Sequence, residues 1–205
     1  MKNKLKSLLI LALLCLTTIT AFSADRFSQV KNRIDSAAVV RFEVLITIES
    51  KIFNDIDSLP GLIILAEDGR YRAELNNDIY FNDGITNWEY SAENNQVTKR
   101  ELLEGEEIGN QLSFFKNLDS FYKTSIIEQG LIYKLIKIDG SDEALPDSLT
   151  VKLDKTESKI FKIEYFDIND DLNSVYMLKE NYEDKIEEDL FIFDLPDSVE
   201  IITLP

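Results

Sequence analysis

Histidine is absent from all 205 residues. Without an imidazole the chain can form neither a Ser-His-Asp triad nor a Cys-His dyad, and it lacks the usual ligand of catalytic zinc. Most hydrolase mechanisms fall with it. The one cysteine, Cys15, lies in the leader region, so the body of the chain can form no internal disulfide and must be held by packing. Seven glycines and four prolines are too few for collagen-like repeats or long flexible linkers. Basic residues are also scarce: 22 Lys and Arg stand against 38 Asp and Glu, for a formal charge of -16. With no basic cluster in the body, nucleic acid is not an expected partner. A Gly-rich phosphate loop, a nucleophile elbow and metal-ligand spacings are all missing, so no enzyme activity, metal or cofactor is expected. The run Asp167-Ile-Asn-Asp-Asp171 offers oxygen ligands but lacks the glycine and distant glutamate of a calcium loop, and it reads as a solvated turn.

What is present begins with an export signal. Lys2, Lys4 and Lys6 precede the apolar run Leu8 to Leu16, and Ala21-Phe22-Ser23 places small residues where a signal peptidase requires them. Residues 1–23 are expected to be a signal peptide, with Ala24 as mature residue one and 24–205 as a single domain. Cleavage removes three lysines and no acid, which takes the charge to -19. Two alternatives stand beside this reading. The run from Leu5 to Phe22 could remain as a membrane anchor, or Cys15 could be lipidated, although Leu14 occupies the site where that route needs a small residue.

The body alternates between two periods. Phe27, Val30 and Ile34 recur at spacings of three and four and predict a short amphipathic helix. From Arg41 the period becomes two: Phe42, Val44, Ile46 and Ile48 alternate with Glu43, Thr47 and Glu49, as a half-buried strand requires. Strands are predicted at 61 to 66 and 70 to 75. Another pair, Ile79 to Asn82 and Ile85 to Tyr90, flanks Asp83-Gly84, which favours a type I′ turn. A turn at Glu93-Asn94-Asn95 leads into Gln96 to Leu102. Ile108, Leu112, Phe115 and Tyr122, widened by Phe114, Leu118 and Phe121, predict a second helix with a broad apolar face. Period two returns at 124 to 128, 131 to 138, 149 to 154, 159 to 166 and 174 to 182, and closes with Leu190 to Phe193 and Val199 to Thr203. About eleven strands with short connections imply a mainly β, antiparallel, meandering sheet. So many strands under so few helices leave two outcomes open, a filled core or a bent sheet enclosing a cavity.

An ordered set of short motifs resembles the outer-membrane lipoprotein carriers of the LolA family. The motifs are Gly61-Leu-Ile-Ile-Leu65, Gly69-Arg-Tyr-Arg72, Phe81-Asn-Asp-Gly84 leading to Trp88-Glu-Tyr90, and Gln96-Val-Thr98, with Phe191-Ile-Phe193, Pro196 and Val199-Glu-Ile201 at the end. The resemblance covers residues 25 to 204. It implies a strongly curved, unclosed antiparallel half-barrel with helices covering a concave apolar face. It also implies a monomeric periplasmic carrier, which takes the acyl chains of triacylated lipoproteins from an ABC-type extraction complex in the inner membrane and delivers them to the outer membrane, with or without a receptor there. On this reading the acyl cavity is lined by Phe42, Val44, Ile46, Ile63, Leu65, Tyr71 and Trp88 from the strands and by Leu112 and Phe115 from the covering helix. The family's Arg-Pro pair, whose arginine latches the helical lid, is replaced here by Glu67 and Asp68. The latch is therefore expected to be absent or reassigned, with lid contact from Arg70 or Arg72. An exported lipid or lipoprotein sensor or receptor of the same half-barrel is the alternative.

Overall fold

The computed structural model describes residues 26–102, 115–128, 130–141, 145–192 and 194–204. Helix α1 spans Arg26–Ser36. Its stripe of Phe27, Val30 and Ile34 is at most 2% exposed, as the sequence spacing required. Among the described residues, twelve strands then follow in one sheet. The first six are β1 (Val39–Ser50), β2 (Asp55–Ala66), β3 (Tyr71–Leu75), β4 (Asp78–Asn82), β5 (Thr86–Ser91) and β6 (Gln96–Glu101). The others are β7 (Tyr122–Glu128), β8 (Ile132–Lys137), β9 (Ser148–Leu153), β10 (Ile160–Phe166), β11 (Leu172–Glu183) and β12 (Glu200–Thr203). Their order is β12-β6-β5-β4-β3-β2-β1-β11-β10-β9-β8-β7. Two meanders are thus welded at the long pair β1·β11, and β12 and β7 form the two edges. The result is an open, curved half-barrel.

Three details depart from the pattern reading. β12 lies parallel to β6, with Ile201 opposite Val97, so the sheet is not antiparallel throughout. The second helix is confined, among the described residues, to α2, a single turn at Leu118–Phe121. Asn117 precedes it in the left-handed region with φ 60°, and Tyr122 is already extended, so a continuous helix cannot run through to Tyr122. Ile108, Leu112 and Phe114 lie outside the described residues. The segment Glu188–Phe191, expected to enter a strand at Leu190, is instead a 3-10 turn. Leu190 and Phe191 both pack against Val39, Ile64 and Ala66. Adjacent residues of a strand would face opposite ways, so only a helical turn brings both onto that surface.

Turn chemistry explains the hairpins. The Asp83-Gly84 turn is not the type I′ form its sequence suggests, since only Gly84 takes a positive φ, 99°. The Asp83 carboxylate organises it instead, with Oδ1 accepting the backbone N–H of Ile85 at 2.9 Å and of Thr86 at 2.8 Å. Gly61 has a different task. A Cβ there would lie 2.6 Å from Leu75 Cδ2 and 2.8 Å from the Glu74 carbonyl oxygen. Gly61→Ala is therefore expected to cost about 1–3 kcal/mol of stability through overpacking at the β2·β3 pair. A urea midpoint equal to that of the parent chain would show that the strands separate freely there.

Candidate functional site

The inner face of the sheet is a single apolar surface drawn from both meanders. Phe42 and Val44 of β1, Ile63 and Leu65 of β2 and Tyr71 of β3 form one buried cluster with Leu135, Leu149, Val151, Ile163 and Val175 of the other half. Ile46 packs at the margin of this cluster, partly buried. The cover consists of α1 and the residues around α2: Phe27 stacks on Tyr133 with ring centroids 4.7 Å apart, and Phe115 meets Phe42 at 6.0 Å. Strands β8 to β11 were visible in the sequence as alternation, but nothing local indicated that they share one floor with β1 to β3. Of the residues expected to line the site, Phe42, Val44, Ile46, Ile63, Leu65, Tyr71 and Phe115 come together, while Leu112 lies outside the described residues.

Trp88 stands on the opposite face. Register places Tyr71 opposite Asn82 and Asn82 opposite Asn87, so the inner face of β5 carries Asn87, and its neighbour Trp88 points outward. The Tyr71 hydroxyl meets Asn87 Oδ1 at 3.2 Å, in agreement with this placement. Trp88 instead stacks on Phe81, with centroids at 5.7 Å, and donates its Nε1–H to Asp83 Oδ2 at 3.0 Å. A slip of one residue in parity exchanges the faces of a strand.

The described polar contacts of Arg70 and Arg72 lie toward the outer face, while Arg70 also borders a cavity shared with Lys116, Asn117 and Phe121 of the cover. Arg70 pairs with Asp68 at 2.9 Å and Glu188 at 2.6 Å, and its guanidinium lies 4.9 Å from the Phe191 ring. Arg72 donates to the carbonyl of Ile192 at 3.1 Å. Together they hold the C-terminal 3-10 turn against the sheet.

Most ties on α1 come from its own cations, and Asp35 Oδ1 adds one by accepting the Asn117 amide at 2.8 Å. Arg26 donates to the backbone carbonyls of Asp154 at 2.8 Å, Glu157 at 2.7 Å and Gly130 at 3.3 Å. Lys31 pairs with Asp119 at 2.5 Å. Arg33 donates to the Ser158 carbonyl and reaches Glu180 Oε2 at 3.4 Å. The Glu180 side chain, 2% exposed, also accepts the Tyr182 hydroxyl at 2.6 Å and the Ile160 amide at 3.1 Å. Burial, reinforced by that carboxylate, pushes the Tyr182 phenol well above its ordinary range. At the other end of α1, Asp154 is held down to about 2 by the Glu157 amide and the Thr156 side chain. The turn that receives Arg26 therefore keeps its charge through the physiological range. Lys116 donates to the Ala37 carbonyl at 2.7 Å, and burial lowers its pKa.

About 140 Å³ remains between Leu65, Ala66 and Arg70 on one side and Lys116, Asn117 and Phe121 on the other, below the 300–1,000 Å³ or so of ligand pockets. A larger open groove of about 390 Å³ lies at the β7–β8 and β9–β10 turns, lined by Leu131, Ile132, Leu153 and Phe161. Its wall includes Asp154, so it opens beside the first residue of α1. Two polar atoms at the cover are buried without a hydrogen-bond partner among the described residues, Arg33 Nε on α1 and the Tyr133 hydroxyl beneath it. Such an orphan costs about 1–3 kcal/mol.

Tyr122, at the edge of the cover, carries a pH signature. Burial and the charge of Asp147 push its phenol up to about 12. The folded chain then holds a proton that the unfolded chain releases near pH 10, so stability falls as pH rises from about 10 to 12. Tyr122→Phe is expected to make the alkaline loss of stability shallower by close to one proton. The same proton uptake in parent and variant would place the titration elsewhere.

No protein-family model matches this sequence, and no curated protein is similar to it. Solved structures do match. An uncharacterized conserved protein from Thermus thermophilus aligns over 90% of this chain and 99% of its own, at 9% identity and a TM-score of 0.50. The two share a fold. Also similar are a LolA superfamily protein from Nitrosomonas europaea, at 8% identity and a TM-score of 0.44 over 82% of this chain and 97% of that one, and LprF from Mycobacterium bovis, at 10% identity and a TM-score of 0.43 over 87% and 98%.

Proposed function

We propose that this protein is an exported carrier of acyl chains. Its cargo is the lipid moiety of lipoproteins, which it receives from an extraction complex at the inner membrane and passes across the periplasm to the outer membrane. The observation that carries this reading is the make-up of the covered face. A wide apolar floor is closed by a helix whose own contribution is three apolar side chains, tied down through cations at its polar side. Releasing Phe27, Val30 and Ile34 costs about 5–9 kcal/mol in lost burial at about 1.5–3 kcal/mol each, whereas about fourteen methylenes of one long acyl chain offer about 11 kcal/mol. One chain can therefore take the place of α1, and the exchange is close enough to balance to be reversible. The groove beside Arg26 is where a chain would enter, and the unpartnered Tyr133 hydroxyl suits the ester carbonyl that ends an acyl chain. No step needs a catalytic residue.

Ile46 tests the reading, because it borders the apolar face without being fully buried. Ile46→Asp is expected to weaken binding of a fluorescent fatty acid at least tenfold while the circular dichroism spectrum stays that of the parent. Lipid extraction and intact-mass measurement of the protein recovered from the exporting cell should find acyl chains bound to a chain that begins at Ala24. Undiminished fatty-acid binding by a folded Ile46→Asp chain would place the ligand elsewhere.

A further inference from the structure

One end of the half-barrel carries an apolar cluster that the carrier reading does not use. The β1–β2 turn presents Ile52 and Phe53, 75% and 77% exposed, with Ile56 at 64% just behind them. The neighbouring β10–β11 turn presents Ile168, 99% exposed, and Phe166 at 52%. The two turns are one surface: Glu49 pairs with both Ile56 and Leu172, Leu172 pairs with Phe166, and Lys51 Nζ lies 4.6 Å from the Phe166 ring centroid. Five large apolar side chains gathered on two adjacent tips are more than scattered surface hydrophobics.

The tips are also held in shape. Asn54 takes φ 53° and returns its amide to the Ser50 carbonyl at 2.9 Å. In the other turn Asp170 takes φ 62°, and Asp167 Oδ1 accepts the amides of Asn169 at 2.8 Å and Asp171 at 3.1 Å. Side chains presented on fixed turns lose little freedom on binding. Around them stand Glu49, Asp55, Asp57, Asp167, Asp170 and Asp171, against Lys51 as the single cation of the two tips, residues 49–57 and 166–172. Asp171 Oδ1 is buried without a hydrogen-bond partner among the described residues.

We infer that this end docks into an apolar cleft rimmed with Lys or Arg on another protein. An apolar centre inside a charged rim is the anatomy of a recognition surface, and an acidic rim selects a basic counterpart. A second copy of this chain would set acids against acids. An anionic bilayer would be repelled by the same rim. The surface lies away from the covered face, so the inference stands apart from the carrier reading.

The test uses two synthetic amphipathic helices, one of Leu and Lys and one of Leu and Glu, together with phosphatidylcholine vesicles, against the full chain and its Phe53→Ser/Ile168→Ser variant. Both positions are exposed, and Ile52→Ser/Ile56→Ser serves as a second pair should the first misfold. The Leu/Lys helix is expected to bind the parent and to lose at least tenfold in affinity with the variant, while the Leu/Glu helix does not bind. The variants are expected to take up a fluorescent fatty acid like the parent, which separates this surface from the acyl site. Leu/Lys binding unchanged by the variant would mean diffuse attraction to an acidic protein and overturns the inference. Vesicle binding that depends on Phe53 and Ile168, with no such dependence for the helix, would make the occupant a lipid surface and overturns it equally.

Discussion

Glu180→Ala is expected to make the chain less stable and at the same time a tighter binder of acyl chains. The Glu180 carboxylate is buried under α1 and gathers Arg33, the Tyr182 hydroxyl and the Ile160 amide. Removing it leaves the tyrosine and the amide without their acceptor, at a cost of about 2–4 kcal/mol. For a chain of this size that is a fall in melting temperature of roughly 5–15 °C. Part of this energy holds the cover closed, and the apparent affinity for a ligand that needs an open cover rises with the fraction already open. Fatty-acid affinity is therefore expected to rise about tenfold. If stability and affinity fell together, Glu180 would be a simple core support and α1 would not be the moving part.

Phe42→Ala is expected to give the largest loss of stability. Phe42 is fully buried in the first half of β1, the strand where the two meanders meet, and its ring lies 6.0 Å from that of Phe115. Truncating it removes the burial of the ring and leaves a void, so about 3–5 kcal/mol is expected to be lost. Palmitate at about a hundredfold excess over its dissociation constant should restore about 2.7 kcal/mol to any chain that binds it in the folded state alone. Thermal melts with and without palmitate check both statements. A melting temperature indifferent to palmitate in parent and variant alike would rule out acyl binding by the folded chain.

How much of this was legible beforehand differs from element to element. The period of Phe27, Val30 and Ile34 marks α1, and the alternation from Phe42 to Ile48 marks β1, because both signals are local: a helix repeats every 3.6 residues and a strand every two. The same alternation at Tyr133 and Leu135 or Leu149 and Val151 marks strands without saying which floor they join. The Leu190 to Phe193 run misleads, because two adjacent apolar residues can serve one surface by turning helically instead of extending. Tyr122 misleads similarly: its spacing from Phe115 and Leu118 suits a helix, yet it opens β7 with its side chain still buried against the same cluster.

By itself the sequence determined the number and kind of most elements, the acidic surface, the absence of imidazole chemistry and the existence of an apolar face, since each depends on composition or short-range period. Only the tertiary structure decided which face a given side chain occupies and what ties the cover down. Trp88 is outside and Tyr71 inside because register passes from strand to strand through Asn82 and Asn87. Arg26 and Arg33 meet their carbonyl partners across separations of 104 to 131 residues. A backbone carbonyl is the same group on every residue, so no sequence pattern marks the one that folding will bring within reach of a guanidinium.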